Sequence, residues 1–255
     1  MPDRTSYHPG TPNWVDLRTP DPEQARSFYG PLFGWTFDDR PGPDGGLYSL
    51  CRMNGGIVAA IGSAPPDSAP RWTTYLAVDD VDAAVTEVEA AGGRLLTPPY
   101  GVGAMGRAAL VADPGGVAFG LWEAGEHVGA TVVNEPGAFV WSELMTEGRE
   151  AAPPFYERVA GLTTTTVDLG GAPFTGFVAG GTMVGGVIAP PREGVEQRWI
   201  VYFSAADVED LARRAEGLGG TVVHGPIDSP VGPLAALRDP QGAPFSVWAV
   251  RLPAG

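Results

Sequence analysis

The chain has 255 residues, 44% hydrophobic and 18% charged, enough apolar content for one large domain or two smaller ones. Its 16 basic residues are all Arg against 30 acidic residues, a formal net charge of -14. The lack of Lys excludes Schiff-base and lysine-nucleophile chemistry, and the acidity without a basic patch argues against nucleic acid and anionic lipid as partners. Cys51 is the single cysteine, so intrachain disulfides, cysteine zinc sites and iron–sulfur clusters are excluded. No apolar run reaches the roughly 18 residues that span a membrane, and no apolar stretch follows Met1–Thr5 as in a secretory leader. The expectation is a cytoplasmic protein.

The 37 Gly and 26 Pro fall between alternating apolar runs, which points to many short strands joined by tight turns. A strand over 13–19 precedes a helix over about 21–32, with Asp21 as N-cap, Pro22 at its first position and Gly34 closing it. Strands follow at 35–39, 47–52 and 56–61. The scheme restarts with a strand at 72–78 and a helix capped by Asp79 or Asp80, ended by Gly92-Gly93. Strands near 94–97, 107–111 and 117–122 complete the first half. Ala124–Pro136 reads as a polar linker. Beyond it come a strand at 138–145, a helix at 149–160 and strands at 164–169, 174–179 and 183–189. A strand at 199–205, a helix at 207–218 and strands at 221–224, 234–238 and 244–250 end the chain.

The two halves are copies. A shift of 127 residues carries Trp14-Val-Asp16-Leu onto Trp141-Ser-Glu143-Leu, Phe28-Tyr29 onto Phe155-Tyr156 and Arg71-Trp72 onto Arg198-Trp199. A shift of 126 carries Asp113-Pro-Gly-Gly through Trp122 onto Asp239-Pro-Gln-Gly through Trp248. Four βαβββ modules in two pairs follow, with domains over 1–126 and 134–255.

These motifs, with Leu32-Phe33-Gly34-Trp35 and Glu143-Leu-Met-Thr146, resemble the vicinal oxygen chelate superfamily of glyoxalase I, bleomycin-resistance proteins and extradiol dioxygenases. The chain is more closely similar to two-domain actinobacterial glyoxalase-like proteins often labelled hydroxylases. The resemblance covers nearly the whole chain. It implies an α+β fold of two tandem domains, each bending a pair of modules into a cupped sheet around a cavity. It also implies, in enzymatic members, one divalent ion held by His or Glu side chains. The matching positions here are Trp14, Thr73, Gly120 and a residue in Tyr48–Cys51, then Trp141, Ile200, Ser246 and a residue in Phe174–Ala179. None is His, Asp or Glu, so no metal and no other cofactor is expected. His8 falls in the N-terminal tail and His127 in the linker, both outside the sheets, while His224 ends a strand and is read as a bland surface or edge position.

Strand alternation places Trp14, Asp16, Thr73, Tyr75 and Trp122 on the first cup's inner face, and Trp141, Glu143, Tyr202, Ser246 and Trp248 on the second's. Each cup then carries two Trp, one Tyr and one carboxylate. The aromatics suit a flat ligand held by stacking, though they are also large enough simply to fill the cups. Asp16 and Glu143 are candidates for proton transfer at a raised pKa, or for plain ion pairs, with Arg18 beside Asp16. Cys51 is read as a small hydrophobe on a first-cup strand. Gly42–Gly46 and Gly101–Gly106 read as rim loops, the second as a mobile flap. The expected activity is metal-independent binding or sequestration of an aromatic or apolar small molecule by a monomer or weak homodimer. The alternative is an enzyme, a lyase, isomerase or hydroxylase, that uses a cavity carboxylate.

Overall fold

The computed structural model describes residues 4–42 and 45–251. The Gly42–Gly46 loop thus lies partly outside the described residues. The first half runs β1 (Pro12–Thr19), α1 (Pro22–Phe33), β2 (Thr36–Pro41), β3 (Leu47–Met53), β4 (Gly56–Ser63), β5 (Arg71–Val78), α2 (Val81–Ala90), β6 (Arg94–Gly101), β7 (Gly106–Ala112) and β8 (Ala118–Ala124). The second runs β9 (Phe139–Met145), α3 (Ala152–Ala160), β10 (Thr163–Asp168), β11 (Pro173–Ala179), β12 (Thr182–Ile188), β13 (Arg198–Ser204), α4 (Val208–Gly217), β14 (Thr221–Ile227), β15 (Leu234–Arg238) and β16 (Pro244–Trp248). Each half makes one eight-stranded sheet, in the order β2-β3-β4-β1-β5-β8-β7-β6 and its copy β10-β11-β12-β9-β13-β16-β15-β14. The architecture is α+β in two tandem domains, as the resemblance implies.

The helices start and stop where their chemistry directs. The Asp21 carboxylate accepts from Gln24 N at 2.9 Å, Pro22 occupies the first turn, and Gly34 closes α1 at φ 75°. Ala25, Phe28, Tyr29, Leu32 and Phe33 repeat at helical spacing and form its buried face. Burying a ring such as Phe28 contributes roughly 1.5–3 kcal/mol. Asp80 caps α2 and Asp207 caps α4 in the same way.

The two halves do not keep separate cores. Val15, Leu17, Phe28 and Phe33 of the first half pack with Phe203, Leu211, Phe245 and Val247 of the second. Leu76, Val85 and Phe119 pack with Leu144, Phe155 and Trp199 in a second mixed core. Polar contacts cross at the same places. Tyr29 Oη donates to Asp239 at 3.2 Å and receives the Trp72 indole N–H at 3.0 Å. Tyr156 repeats this with Asp113 at 3.0 Å and Trp199 at 3.1 Å. Each Asp-Pro-x-Gly turn is therefore an anchor for the other half. Arg214 of α4 donates to the terminal carbonyls of α1, Pro31 and Leu32, at 2.8 and 2.9 Å.

The linker departs from its polar reading. Ala130 and Val132 are buried, and the segment crosses the mouth of the first cup. Ala130 N donates to Asn13 O and Thr131 N to Ile57 O, both at 2.8 Å. The Gly101–Gly106 loop, expected to be a mobile flap, makes backbone contacts of its own. It holds a 3-10 turn at Gly103–Met105, and its carbonyls accept from Gly125, Glu126 and His127 N–H groups. These bonds tie it to the linker. Cys51 lies on β3 as expected, but its side chain points away from the cup into the shared core. There burial pushes its thiol pKa well up.

Candidate functional site

Pairing sets the cup faces. Along β1, Val15 and Leu17 enter the shared core, so Trp14 and Asp16 face the cup, and Trp14 lies opposite Tyr75 and Asp16 opposite Thr73. Along β9, Trp141 lies opposite Tyr202 and Glu143 opposite Ile200, while Ser246 lies beside Tyr202 on β16. All ten residues singled out from the sequence thus fall on two cup faces.

The first cup is closed and filled. Trp14, Asp16, Tyr75 and Trp122 are 2–6% exposed. His127, expected outside the sheets, stands edge-on to Trp14 with ring centroids 4.6 Å apart and meets Trp122 at 5.6 Å. The Trp122 indole N–H donates to His127 O at 2.8 Å. Burial lowers the imidazole pKa to about 4, and its Nε2 has no partner. Asp16 accepts from Tyr48 Oη and Tyr75 Oη on one oxygen, each at 3.2 Å, while its Oδ1 has no partner. Burial raises its pKa to about 6, against the opposing effects of the Arg18 charge and the Tyr75, Tyr48 and Thr73 hydroxyls. Arg18 therefore acts on Asp16 alongside three hydroxyl groups and not as a sole partner. Tyr48 was missed from the sequence; it sits in the span where the resemblance places a ligand, but a hydroxyl gives no spacing signal.

The second cup is open. Trp141, Glu143, Ile200 and Trp248 are only partly buried, while Tyr202 and Ser246 form the floor at 8% and 5% exposure. The two indoles contact each other at 6.1 Å and 70°. Glu143 is pinned on both oxygens, by the Trp141 indole N–H at 3.2 Å and by Tyr202 Oη at 2.6 Å. Its pKa is nevertheless raised, because desolvation outweighs the two donors. Ser246 hydrogen bonds to Tyr202, extending the chain to Ser246–Tyr202–Glu143–Trp141. Phe174 takes the place of Tyr48 and packs over Gly186, where a Cβ would lie 2.2 Å from its ring.

A cavity of about 1200 Å3 opens onto this cup. Its wall includes Val140, Trp141, Thr182, Met183 and Trp248. At the repeat's shifts of 127 and 126 residues, these are the counterparts of Asn13, Trp14, Gly56, Ile57 and Trp122. Those five are the residues that the linker covers in the first half: Ala130, Thr131 and Val132 meet Asn13, Ile57 and Gly56, and His127 meets the two indoles. In the second half the N-terminal residues Arg4, Tyr7 and Thr11, with Val250 and Arg251, line the cavity's other side. Glu143 is the next cup-facing residue along β9, beyond the indole pair and outside the cavity wall.

The donor set does not fit a divalent ion. The implied ligand positions carry Trp14, Thr73 and Gly120, then Trp141, Ile200 and Ser246. Each cup offers one carboxylate, already engaged by hydroxyl or indole donors. Among the described residues no three His, Cys, Asp or Glu side chains gather as a ligand group.

Comparison with known proteins matches this geometry. The model of the Glyoxalase/Bleomycin resistance protein/Dioxygenase superfamily matches residues 11–121, and that of a glyoxalase-like domain matches residues 138–248. "Putative glyoxylase CFP32" of Mycobacterium tuberculosis is 47% identical over 97% of this chain and 97% of that protein. "Anthracycline biosynthesis protein DnrV" of Streptomyces peucetius is 38% identical over 97% of this chain and 96% of that protein. Among solved structures, the 2,3-dioxygenase LapB of Pseudomonas sp. KL28 superposes with a TM-score of 0.66 at 16% identity, covering 97% of this chain and 96% of that one. At that identity the likeness concerns fold alone.

Proposed function

The chain belongs to the Glyoxalase/Bleomycin resistance protein/Dioxygenase superfamily, and on that footing we propose that its second cup binds a flat aromatic or apolar small molecule without a metal. The observation that carries this reading is the accessible Trp141–Trp248 pair opening onto the 1200 Å3 cavity, where the first half holds its own His127 ring. A ligand ring takes in the second cup the place His127 takes in the first, against two indoles. Stacking supplies area and geometry, and the pinned Glu143 carboxylate supplies one polar anchor. The relative named for anthracycline biosynthesis supports a fused-ring ligand class. The test is quenching of Trp fluorescence by 2-naphthamide. Saturable binding that weakens about tenfold in Trp248→Leu agrees with the proposal. No saturable binding, or binding indifferent to that change, contradicts it.

A second reading rests on a specific observation: Glu143 combines a raised pKa with a 2.6 Å bond from Tyr202. Such a carboxylate can take a proton from a bound ligand, with Tyr202 stabilising its ionised form. On this reading Glu143→Gln abolishes turnover of a ligand that it still binds. Loss of binding and turnover together, or of neither, tells against it.

A further inference from the structure

We infer that Arg198 and Arg238 form an anion-binding end to the second cup, so that its ligand is a fused-ring aromatic carrying a carboxylate. This rests on the reading of that cup as a binding site, and deepens it.

The register places both arginines on the cup face. Trp199, Val201 and Phe203 of β13 point into the shared cores, so Arg198, Ile200 and Tyr202 point into the cup. On β15, Ala235 and Leu237 are core, so Ala236 and Arg238 share the cup face. Tyr202 lies beside Ser246, Ser246 opposite Ala236, and Pro244 opposite Arg238. Both guanidinium groups therefore stand at the same end of the cup, on either side of β16.

That end is positive and lacks a carboxylate contact. Arg198 Nη1 donates to Glu196 O at 3.2 Å, and Arg238 Nη1 to Gly242 O at 3.5 Å. Among the described residues, neither comes within 4.0 Å of a carboxylate oxygen. The charged and titratable groups around Arg198 are Glu196, Tyr202 and Arg238. Partial burial is the main cause lowering the Arg198 pKa, and the like charge of Arg238 adds to it. Arg198 is half-buried and Arg238 exposed; like charge beside a half-buried guanidinium favours an anion that joins the two, and the planar fork of Arg suits a carboxylate. Glu143 does not fill that role, since Trp141 and Tyr202 hold both its oxygens.

The first half also carries two arginines at this end, but placed differently: Arg71 keeps the place of Arg198 and lies opposite Arg18. The counterpart of Arg238 is Ala112, and the counterpart of Met145, which lies opposite Arg198, is Arg18, whose charge acts on Asp16. Cationic charge serves the internal carboxylate in the filled cup and is set apart from it in the open one. From Tyr202 to Arg198 the strand rises about 13 Å, which spans two or three fused rings with a terminal acid.

The experiment compares 2-naphthoate with the neutral 2-naphthamide, by fluorescence titration of the full chain, Arg198→Gln and Arg238→Gln. The proposal predicts that the wild type binds naphthoate at least tenfold more tightly than the amide. It predicts that each variant loses most of that preference, with amide affinity unchanged as the internal control for folding, and that Arg198→Lys keeps part of it. Equal affinity for the two probes in the wild type overturns the anion site and leaves the aromatic cup standing. A preference for naphthoate that survives both variants overturns the assignment to these arginines. Binding of neither probe overturns the cup reading as well.

Discussion

The His127 imidazole stands edge-on to the Trp14 indole, with centroids 4.6 Å apart. By this contact the chain fills its first cup with its own ring. The corresponding indoles of the second cup, Trp141 and Trp248, touch each other beside an open cavity instead. On the proposed reading, one fold, duplicated, carries a structural copy and a binding copy, the first set apart among the described residues by the path of the segment after β8.

His127→Ala removes a ring that meets two indoles and opens a void in the first cup. Each such aromatic contact is worth about 0.5–1.5 kcal/mol, so a loss of roughly 1–3 kcal/mol in urea unfolding is expected. Binding of 2-naphthamide to the second cup should stay within twofold of wild type. A stability change near zero would show that the linker ring does not hold the cup.

Asp16 and His127 give opposite pH dependences. The folded Asp16 pKa of about 6 lies above its ordinary value of 3.8, so its contribution is fully present below that value and is lost as pH rises through about 6. The folded His127 pKa of about 4 lies below its ordinary 6.5, so its contribution is fully present above 6.5 and is lost as pH falls through about 4. Each is worth roughly 3 kcal/mol across its window. Relative to wild type, Asp16→Asn should therefore gain stability with rising pH between about 4 and 6.5, and His127→Gln should lose it. Urea midpoints across that range check the signs; the same slope in both variants would contradict the assignment.

The shared cores predict that neither half folds alone. Residues 4–127 by themselves would leave Leu17, Phe28 and Phe33 without Phe203 and Phe245. Circular dichroism and gel filtration of each half should show a poorly packed or aggregating chain, and mixing the halves should restore a cooperative unfolding transition. Two independently cooperative halves would contradict the packing described. Within the intact chain, Tyr29→Phe strips the Trp72 N–H and Asp239 of a buried partner, at an expected cost of about 1–3 kcal/mol.

Chelation bears on the donor set. Extensive dialysis against EDTA should leave 2-naphthamide affinity unchanged, and re-addition of Mn2+ or Fe2+ should not alter it. A tenfold loss that the metal restores would show that the cup holds an ion through groups other than the carboxylates.

Much of the fold was legible because its signals are local and repeated. Alternation along Trp14–Leu17 and Trp141–Leu144, the Asp caps and the Gly stops set the strands, helices and cup faces. The lone carboxylates Asp16 and Glu143 could be placed by the same alternation. The linker's role could not be read, because it has no counterpart in the repeat and His127 finds Trp14 only through the folded path. Nor could the crossing of Tyr29 to Asp239, since a buried hydroxyl's partner depends on how the two sheets face each other. Arg198 was visible as part of the repeated Arg-Trp pair, but its nearness to Arg238 emerges only from the strand order of the sheet.

The most direct test of the division between the cups uses the seven tryptophans as reporters. Protein labelled with 5-fluorotryptophan is titrated with 2-naphthamide and followed by fluorine NMR, with each resonance assigned by single Trp→Phe replacement. The account predicts saturable shifts of Trp141 and Trp248, with Trp14 and Trp122 unmoved. Shifts of Trp14 and Trp122 as large as those of the second pair, or no shift at Trp141 and Trp248, would contradict it.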